Sequence, residues 1–236
     1  MAPKMIIRNF KDAPWWDARI TPIGENKTPL VTIDNFFPDP SILIQDASQK
    51  NFTANAPYYP GIRSATPQAY FKPIMSALSD VLVNIFGYVR GVDLQECHYS
   101  LVTTRDKDLS MIQRLPHIDG GNDYKVALLH YLCGPEHGGT AFYHQLRTGF
   151  ESVKNNQFET YKKAVEQDHE KLGPPKPKYF SGNDKRFKQI DKVEAKFNRA
   201  ILYYGTQLHS IILGTAPLTT EVESGRLTIN SFFSPI

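Results

Sequence analysis

The strongest constraint on how this chain can fold is a change of hydrophobic period near Asp93. Before it, Phe71, Ile74, Met75, Leu78, Leu82, Ile85 and Phe86 recur at helical spacing, which predicts an amphipathic helix with one buried stripe. Thr66 and Pro67 supply a cap and a first-turn proline for it, and Asp39 and Pro40 do the same for an earlier helix running to about Lys50. That helix follows a short strand and turn over Leu30 to Pro40. After Asp93 the segments Glu96 to Thr104, Val126 to Cys133, Gly139 to Leu146, Ala195 to Gly205, His209 to Leu213 and Arg226 to Phe233 read as strands. Two helices followed by a run of short strands, punctuated by Gly and Pro, give an α+β, mainly β expectation: a jelly-roll sandwich with helices packed on one sheet.

One segment breaks the strand rhythm. Glu151 to Lys192 is highly charged, with helical character around Glu159 to Leu172 and a proline-rich break over Gly173 to Lys178. It reads as an insertion between core strands, a lid or an ornament. The expected organisation is therefore one domain over 1–236, with N-terminal helical support and loop over 1–92, a β core over 93–236 and the insertion at 151–192. A chain of 236 residues with 41% hydrophobic residues can bury a full core.

Charge and cysteine usage exclude some classes. With 27 Lys+Arg against 24 Asp+Glu, the net charge of +3 is too weak to imply a nucleic-acid partner. No run approaches the roughly 20 apolar residues of a membrane helix, and Met1 to Phe10 lacks the apolar core of a signal peptide. Cys97 and Cys133 cannot build a disulfide framework, which suits a reducing cytoplasm. Oligomeric state is not legible.

The sharpest local motif is PHIDGGN, Pro116 to Asn122. In extended backbone, residues two apart point to one side, so His117 and Asp119 can offer an imidazole and a carboxylate to one ion. His209, at the start of a strand after a turn-like GTQ, is the leading third ligand. Two imidazoles and a carboxylate make a facial set that leaves three positions open on iron(II), and zinc accepts the same ligands. His98, His130, His137 and His144 lie in or beside strand-like segments, where a hydrogen-bonded structural histidine is the default, and His169 lies in the charged insertion. Arg226 opens the last strand with Thr228 and Asn230 on its face, and its planar fork suits a carboxylate.

These pieces, in this order, resemble the 2-oxoglutarate/iron(II) oxygenase superfamily, nearest its prolyl-4-hydroxylase-like branch. The likeness covers roughly Glu96 to Phe233 apart from the insertion: a strand, the His-x-Asp loop, an apolar strand with a tyrosine, a strand opened by Gly138 and Gly139, the strand after Asn198 and Arg199, the distal histidine and the arginine strand. The resemblance implies a double-stranded β-helix of the jelly-roll, cupin-like kind. It implies iron(II) on His117, Asp119 and His209, and 2-oxoglutarate on Arg226 with Tyr131, Thr228, Asn230 and, by a looser alignment, Tyr99. It further implies use of dioxygen, release of succinate and carbon dioxide, ascorbate as a possible reductant, and hydroxylation, since halogenating relatives lack the carboxylate ligand.

Two departures stand out. Ile212 to Gly225 separates Arg226 from His209 by more than in the nearest relatives, and the last strand reads Ser231, Phe232, Phe233 where the nucleic-acid-repair branch carries a second arginine. The charged insertion points to a bacterial-type subgroup. A peptide, amino acid or other small molecule is the expected substrate, with Tyr58, Tyr59 and Arg63 of the aromatic loop Ala56 to Pro67 as candidate contacts. The rival readings are a metal-binding sensor of the same fold without turnover, a demethylase of alkylated nucleic acid, and a jelly-roll binding module with no metal.

Overall fold

The computed structural model describes residues 5–7, 10–54, 56–120 and 122–236. Most of the opening segment Met1 to Phe10, where no signal peptide is expected, lies outside the described residues, and so does Gly121 of PHIDGGN. Among the described residues the structure is mostly β with three α-helices, and its named strand pairs are all antiparallel. In chain order the strands are β1 (Met5–Ile7), β2 (Asp17–Ile23), β3 (Thr28–Asp34), β4 (Gly61–Ala65), β5 (Val92–Val102), β6 (Val126–Tyr131), β7 (Gly139–Gln145), β8 (Phe187–Glu194), β9 (Arg199–Tyr204), β10 (His209–Ile212) and β11 (Leu227–Pro235). Eight form one sheet in the order β1-β2-β3-β9-β6-β11-β5-β4, and three form a second in the order β10-β7-β8.

Helices α1 (Ser41–Ser48) and α2 (Met75–Asn84) cover one face of the large sheet. Leu43 and Ala47 of α1 and Leu78, Val81 and Leu82 of α2 share a core with Ile33, Leu128, Leu202, Leu227 and Ile229. Burying side chains of this size contributes about 1.5–3 kcal/mol each. The other face meets the small sheet: Ala127, Leu129 and Tyr131 of β6 pack with Ile201 and Tyr203 of β9 and Phe142 of β7. All six residues of β6 are buried because both of its faces are covered, so VALLHY reads as a continuous apolar run rather than an alternation. Helix α3 (Phe158–Leu172) lies in the expected insertion.

Three expectations are corrected. Helix α2 begins at Met75, not near Pro67, because Pro73 can donate no backbone hydrogen bond and disfavours helical backbone at Lys72. Thr66 instead donates its hydroxyl to the Cys97 carbonyl at 3.1 Å. The segment 1–92 is not only helix and loop: it holds β1 to β4, and the aromatic loop itself supplies β4, paired with β5. The insertion is shorter than 151–192, because β8 is a strand of the small sheet paired along β7. Its charges belong to the outward face of an edge strand, while Phe187 is buried.

Pro40 and not Asp39 is the cap residue of α1, and the Asp39 carboxylate accepts the Ser41 N–H at 3.1 Å from one position further out. Cys97 and Cys133 are free. Among the described residues, no helix is long and apolar enough to cross a membrane.

Candidate metal centre

Three ligand-bearing side chains meet although they are far apart in the chain. His117 and His209 form an isolated antiparallel bridge, each N–H donating to the other's carbonyl at 2.9 and 3.0 Å. Two residues on, the Asp119 N–H donates to the Gly205 carbonyl at 2.8 Å, and the Lys125 ammonium donates to the Asp119 carbonyl at 3.2 Å. The loop is thus laced to the β9–β10 turn by its backbone, which turns His117 and Asp119 to the same side. One ligand atom from each of His117, Asp119 and His209 falls in a group no more than 4.8 Å across, with His209 Nε2 at 3.6 Å from Asp119 Oδ2.

The local chemistry fits a divalent ion. His209 Nδ1 lies 2.9 Å from the Gln207 carbonyl, which can only accept, so Nδ1 carries the proton and Nε2 presents its lone pair. Asp119 Oδ2 is buried with no hydrogen-bond partner, a costly arrangement for a carboxylate that a cation would offset. Burial lowers both imidazoles to about 4, keeping them neutral, and His117 is pushed the same way by His209. Burial raises Asp119 to about 6 against the pull of His117, Lys125 and Arg63. The Tyr203 ring packs edge-on against His209, with centroids 4.9 Å apart, and fixes the imidazole plane.

On the inward face of the large sheet, Arg226 is 2% exposed. One guanidinium nitrogen donates to the Gly139 carbonyl at 2.8 Å, the group lies 5.8 Å from the Tyr131 ring centroid, and Nε has no partner. Thr228 stands opposite Tyr131 in the ladder, and its hydroxyl donates to Asn230 Oδ1 at 2.8 Å, so both polar residues share the face expected of them. The Tyr131 hydroxyl lies 2.7 Å from Thr140 Oγ1. Burial raises the Tyr131 and Tyr59 hydroxyls to about 12, with Arg226 opposing in both.

The expected residues do not all gather here. Tyr99 is opposite Ile229 in the ladder, belongs to the helix-side core and points toward Asp46 of α1, so it is removed from the cosubstrate set. Tyr58 is 74% exposed, whereas Tyr59 is drawn in beside Arg226 and under the Arg63 guanidinium, 4.3 Å from its ring. The sequence reading missed Tyr203, Thr140 and Gln207. The first two are visible in the period of two along β9 and β7, but Gln207 acts through its main chain and carries no side-chain signal.

His130 is structural, as expected of it, held between the Tyr70 hydroxyl and Asn198 Oδ1 at 2.9 and 3.0 Å on the helix side. The segment after α3 brings Tyr179 near Tyr59 and Arg226. It also borders a separate cavity of about 660 Å³ lined in part by Arg114, Lys176, Lys178 and Arg186.

The chain matches a family of unknown function, DUF6445, over residues 14–233, and it belongs to that family. Among solved structures it is similar to HygX from Streptomyces hygroscopicus with nickel, 2-oxoglutarate and hygromycin B bound, at 13% identity over 88% of this chain and 83% of that one, with a TM-score of 0.48. It is also similar to an N-substituted L-amino acid dioxygenase from Burkholderia ambifaria AMMD, at 10% identity over 86% and 81%, with a TM-score of 0.42. No curated protein matches it.

Proposed function

We propose that this single-domain protein is an iron(II)- and 2-oxoglutarate-dependent oxygenase of the prolyl-4-hydroxylase-like branch, its two sheets forming a double-stranded β-helix. The observation that carries the reading is the meeting of His117, Asp119 and His209 within 4.8 Å, inside a fold that also buries an arginine with a free Nε. Two neutral imidazoles and a carboxylate are the donor set of an oxygenase-type iron site with open positions.

Bound there, iron(II) would supply the oxidative chemistry: 2-oxoglutarate, dioxygen and a C–H substrate give succinate, carbon dioxide and an alcohol. The chain's own residues do the rest. His209 is held with Nε2 toward the ion by the Gln207 carbonyl and the Tyr203 ring. Arg226 takes the distal carboxylate of 2-oxoglutarate on its fork, flanked by Tyr131 and Thr228, with Asn230 holding the Thr228 hydroxyl. Ala127, Leu129, Phe142 and Ile201 wall the interior and keep water from the reacting centre. Tyr59 and Arg63 stand at the substrate side, and the substrate is a peptide, amino acid or other small molecule. The two free cysteines suit a reducing compartment such as the cytoplasm.

The test is succinate formation from 2-oxoglutarate with iron(II) and ascorbate. Wild type should show slow turnover without substrate, and His117→Ala and Arg226→Ala should each abolish it. If wild type neither turns over nor binds 2-oxoglutarate, the proposal fails, and a metal-binding module without turnover takes its place.

A further inference from the structure

The inward face of the large sheet continues past Arg226 toward Asp119 in an ordered series. Arg63 of β4 is paired with Ser100 of β5, Ser100 with Thr228 of β11, and Thr228 with Tyr131 of β6, a single row across four strands. By the period of two, His98 and Glu96 follow Ser100 on the same face, in the rows of Asn230 and Phe232. Phe232, in the row of Glu96, lies under the Lys125 ammonium at 5.6 Å, and Lys125 donates to the Asp119 carbonyl at 3.2 Å, so this end of the face runs toward the metal group.

These mouth residues form an open charge pair. Arg63 Nη1 is 3.8 Å from Glu96 Oε2, well beyond the roughly 2.7–2.9 Å of a charge-assisted hydrogen bond. His98 Nδ1 is also 3.8 Å from that oxygen. The Asp34 carboxylate, by contrast, closes on Arg199 at 2.6 Å and Arg19 at 2.8 Å. Arg63 Nε and His98 Nδ1 are both buried without a hydrogen-bond partner, while the Glu96 side chain is 51% exposed. A simple carboxylate approaching Arg63 meets the like charge of Glu96, and a simple amine approaching Glu96 meets Arg63. A molecule carrying both charges on neighbouring atoms satisfies both, its carboxylate on the guanidinium fork and its ammonium on Glu96.

We infer that Arg63 and Glu96 are a zwitterion clamp and that the primary substrate is a free α-amino acid, held by its two charged groups while its side chain reaches toward the metal group. The inference rests on the oxygenase reading, since it names the substrate of that same site.

The experiment is a binding screen of the common L-α-amino acids against protein loaded with Mn(II) and 2-oxoglutarate. Melting temperature and titration calorimetry are the readouts, and the N-acetyl and methyl-ester form of each hit is run beside it. At least one free amino acid should bind, and blocking either end should weaken it about tenfold or more. Arg63→Gln should abolish discrimination against the ester, and Glu96→Gln should abolish discrimination against the N-acetyl form, with Arg63→Lys retaining part of the former. This crossed pattern cannot arise from loss of folding, which would weaken every ligand alike. Binding of 2-oxoglutarate without any amino-acid hit, or hits indifferent to both blocking groups, overturns the clamp and leaves the oxygenase reading intact. Failure to bind 2-oxoglutarate overturns the oxygenase reading, and the amino-acid arms then judge the clamp alone.

Discussion

Strands β5, β6 and β11 carry two faces that differ in almost every physical respect. Toward the helices they present Tyr99, Leu101, Val126, Leu128, Leu227 and Ile229, packed with α1 and α2. Toward the small sheet, β5 and β11 present Glu96, His98, Ser100, Thr228 and Asn230, joined there by Arg63 from β4 and Arg226 from the residue before β11. The helix side gains its stability from apolar area removed from water. Among the described residues the inward side holds five buried polar atoms that lack partners, Tyr59 Oη, Arg63 Nε, His98 Nδ1, Asp119 Oδ2 and Arg226 Nε, against two on the helix side, Tyr99 Oη and Asp46 Oδ2. Unsatisfied buried groups each cost about 1–3 kcal/mol, so the larger cluster persists in a fold stabilised elsewhere and is where a bound ligand would offset most. One face holds the sheet together and the other carries the candidate site.

The largest expected effect breaks the inward face alone. Asp119→Ala should lower succinate formation by more than the roughly 10–100-fold typical of losing a residue that supports a ligand. It should leave the metal-free protein as stable as wild type or slightly more so, because it removes a buried carboxylate oxygen without a partner. A marked fall in the metal-free melting temperature would show that Asp119 is part of the scaffold instead.

The converse substitution attacks the other face. Leu128 is 1% exposed beneath the helices, and Leu128→Ala should destabilise the fold by about 2–5 kcal/mol through lost burial and a cavity. Turnover per folded molecule, measured well below the melting transition, should stay near wild type. A large loss of turnover in fully folded protein would mean that the two faces are mechanically coupled.

What the sequence reveals divides along the same line. The apolar strands and the helix stripe are legible because burial leaves a periodic signature, and the His-x-Asp pair because period two fixes a shared side. Strand β8 escapes because an edge strand carries Lys188 and Lys192 on its open face and so imitates a charged insertion. The start of α2 is misplaced because the stripe extends through Phe71 and Ile74, which are buried from a turn rather than a helix. Tyr99 is assigned to the wrong face because strand register, which sets it opposite Ile229, is a property of pairing that one strand's own residues do not encode.

A smaller effect tests the rim of the scaffold. Burial works to raise the Asp34 carboxyl, but hydrogen bonds and charge from Arg199 and Lys196 outweigh it and hold the group at about 2. A carboxylate whose folded value lies below its unfolded value stabilises the fold at pH above about 4, and this contribution is lost as pH falls toward 2. Asp34→Asn should therefore cost on the order of 2 kcal/mol at pH 7 and flatten the acid limb of a stability-against-pH curve. An unchanged acid limb would assign that titration to other carboxylates.

The smallest effect makes the sharpest comparison, because it changes one oxygen atom on each face of the same sheet. Tyr131→Phe removes a hydroxyl that lies 2.7 Å from Thr140 beside Arg226, and Tyr99→Phe removes one near Asp46 on the helix side. Binding would exchange this neutral bond for one to a carboxylate, stronger by about 1 kcal/mol, so Tyr131→Phe should raise the KM for 2-oxoglutarate roughly fivefold, with kcat changed less. Tyr99→Phe should leave KM alone and alter only stability, since its hydroxyl is buried without a hydrogen-bond partner and removing it relieves a desolvated group. If the two substitutions shift KM equally, the division of labour between the faces is wrong and Tyr99 belongs with the cosubstrate after all.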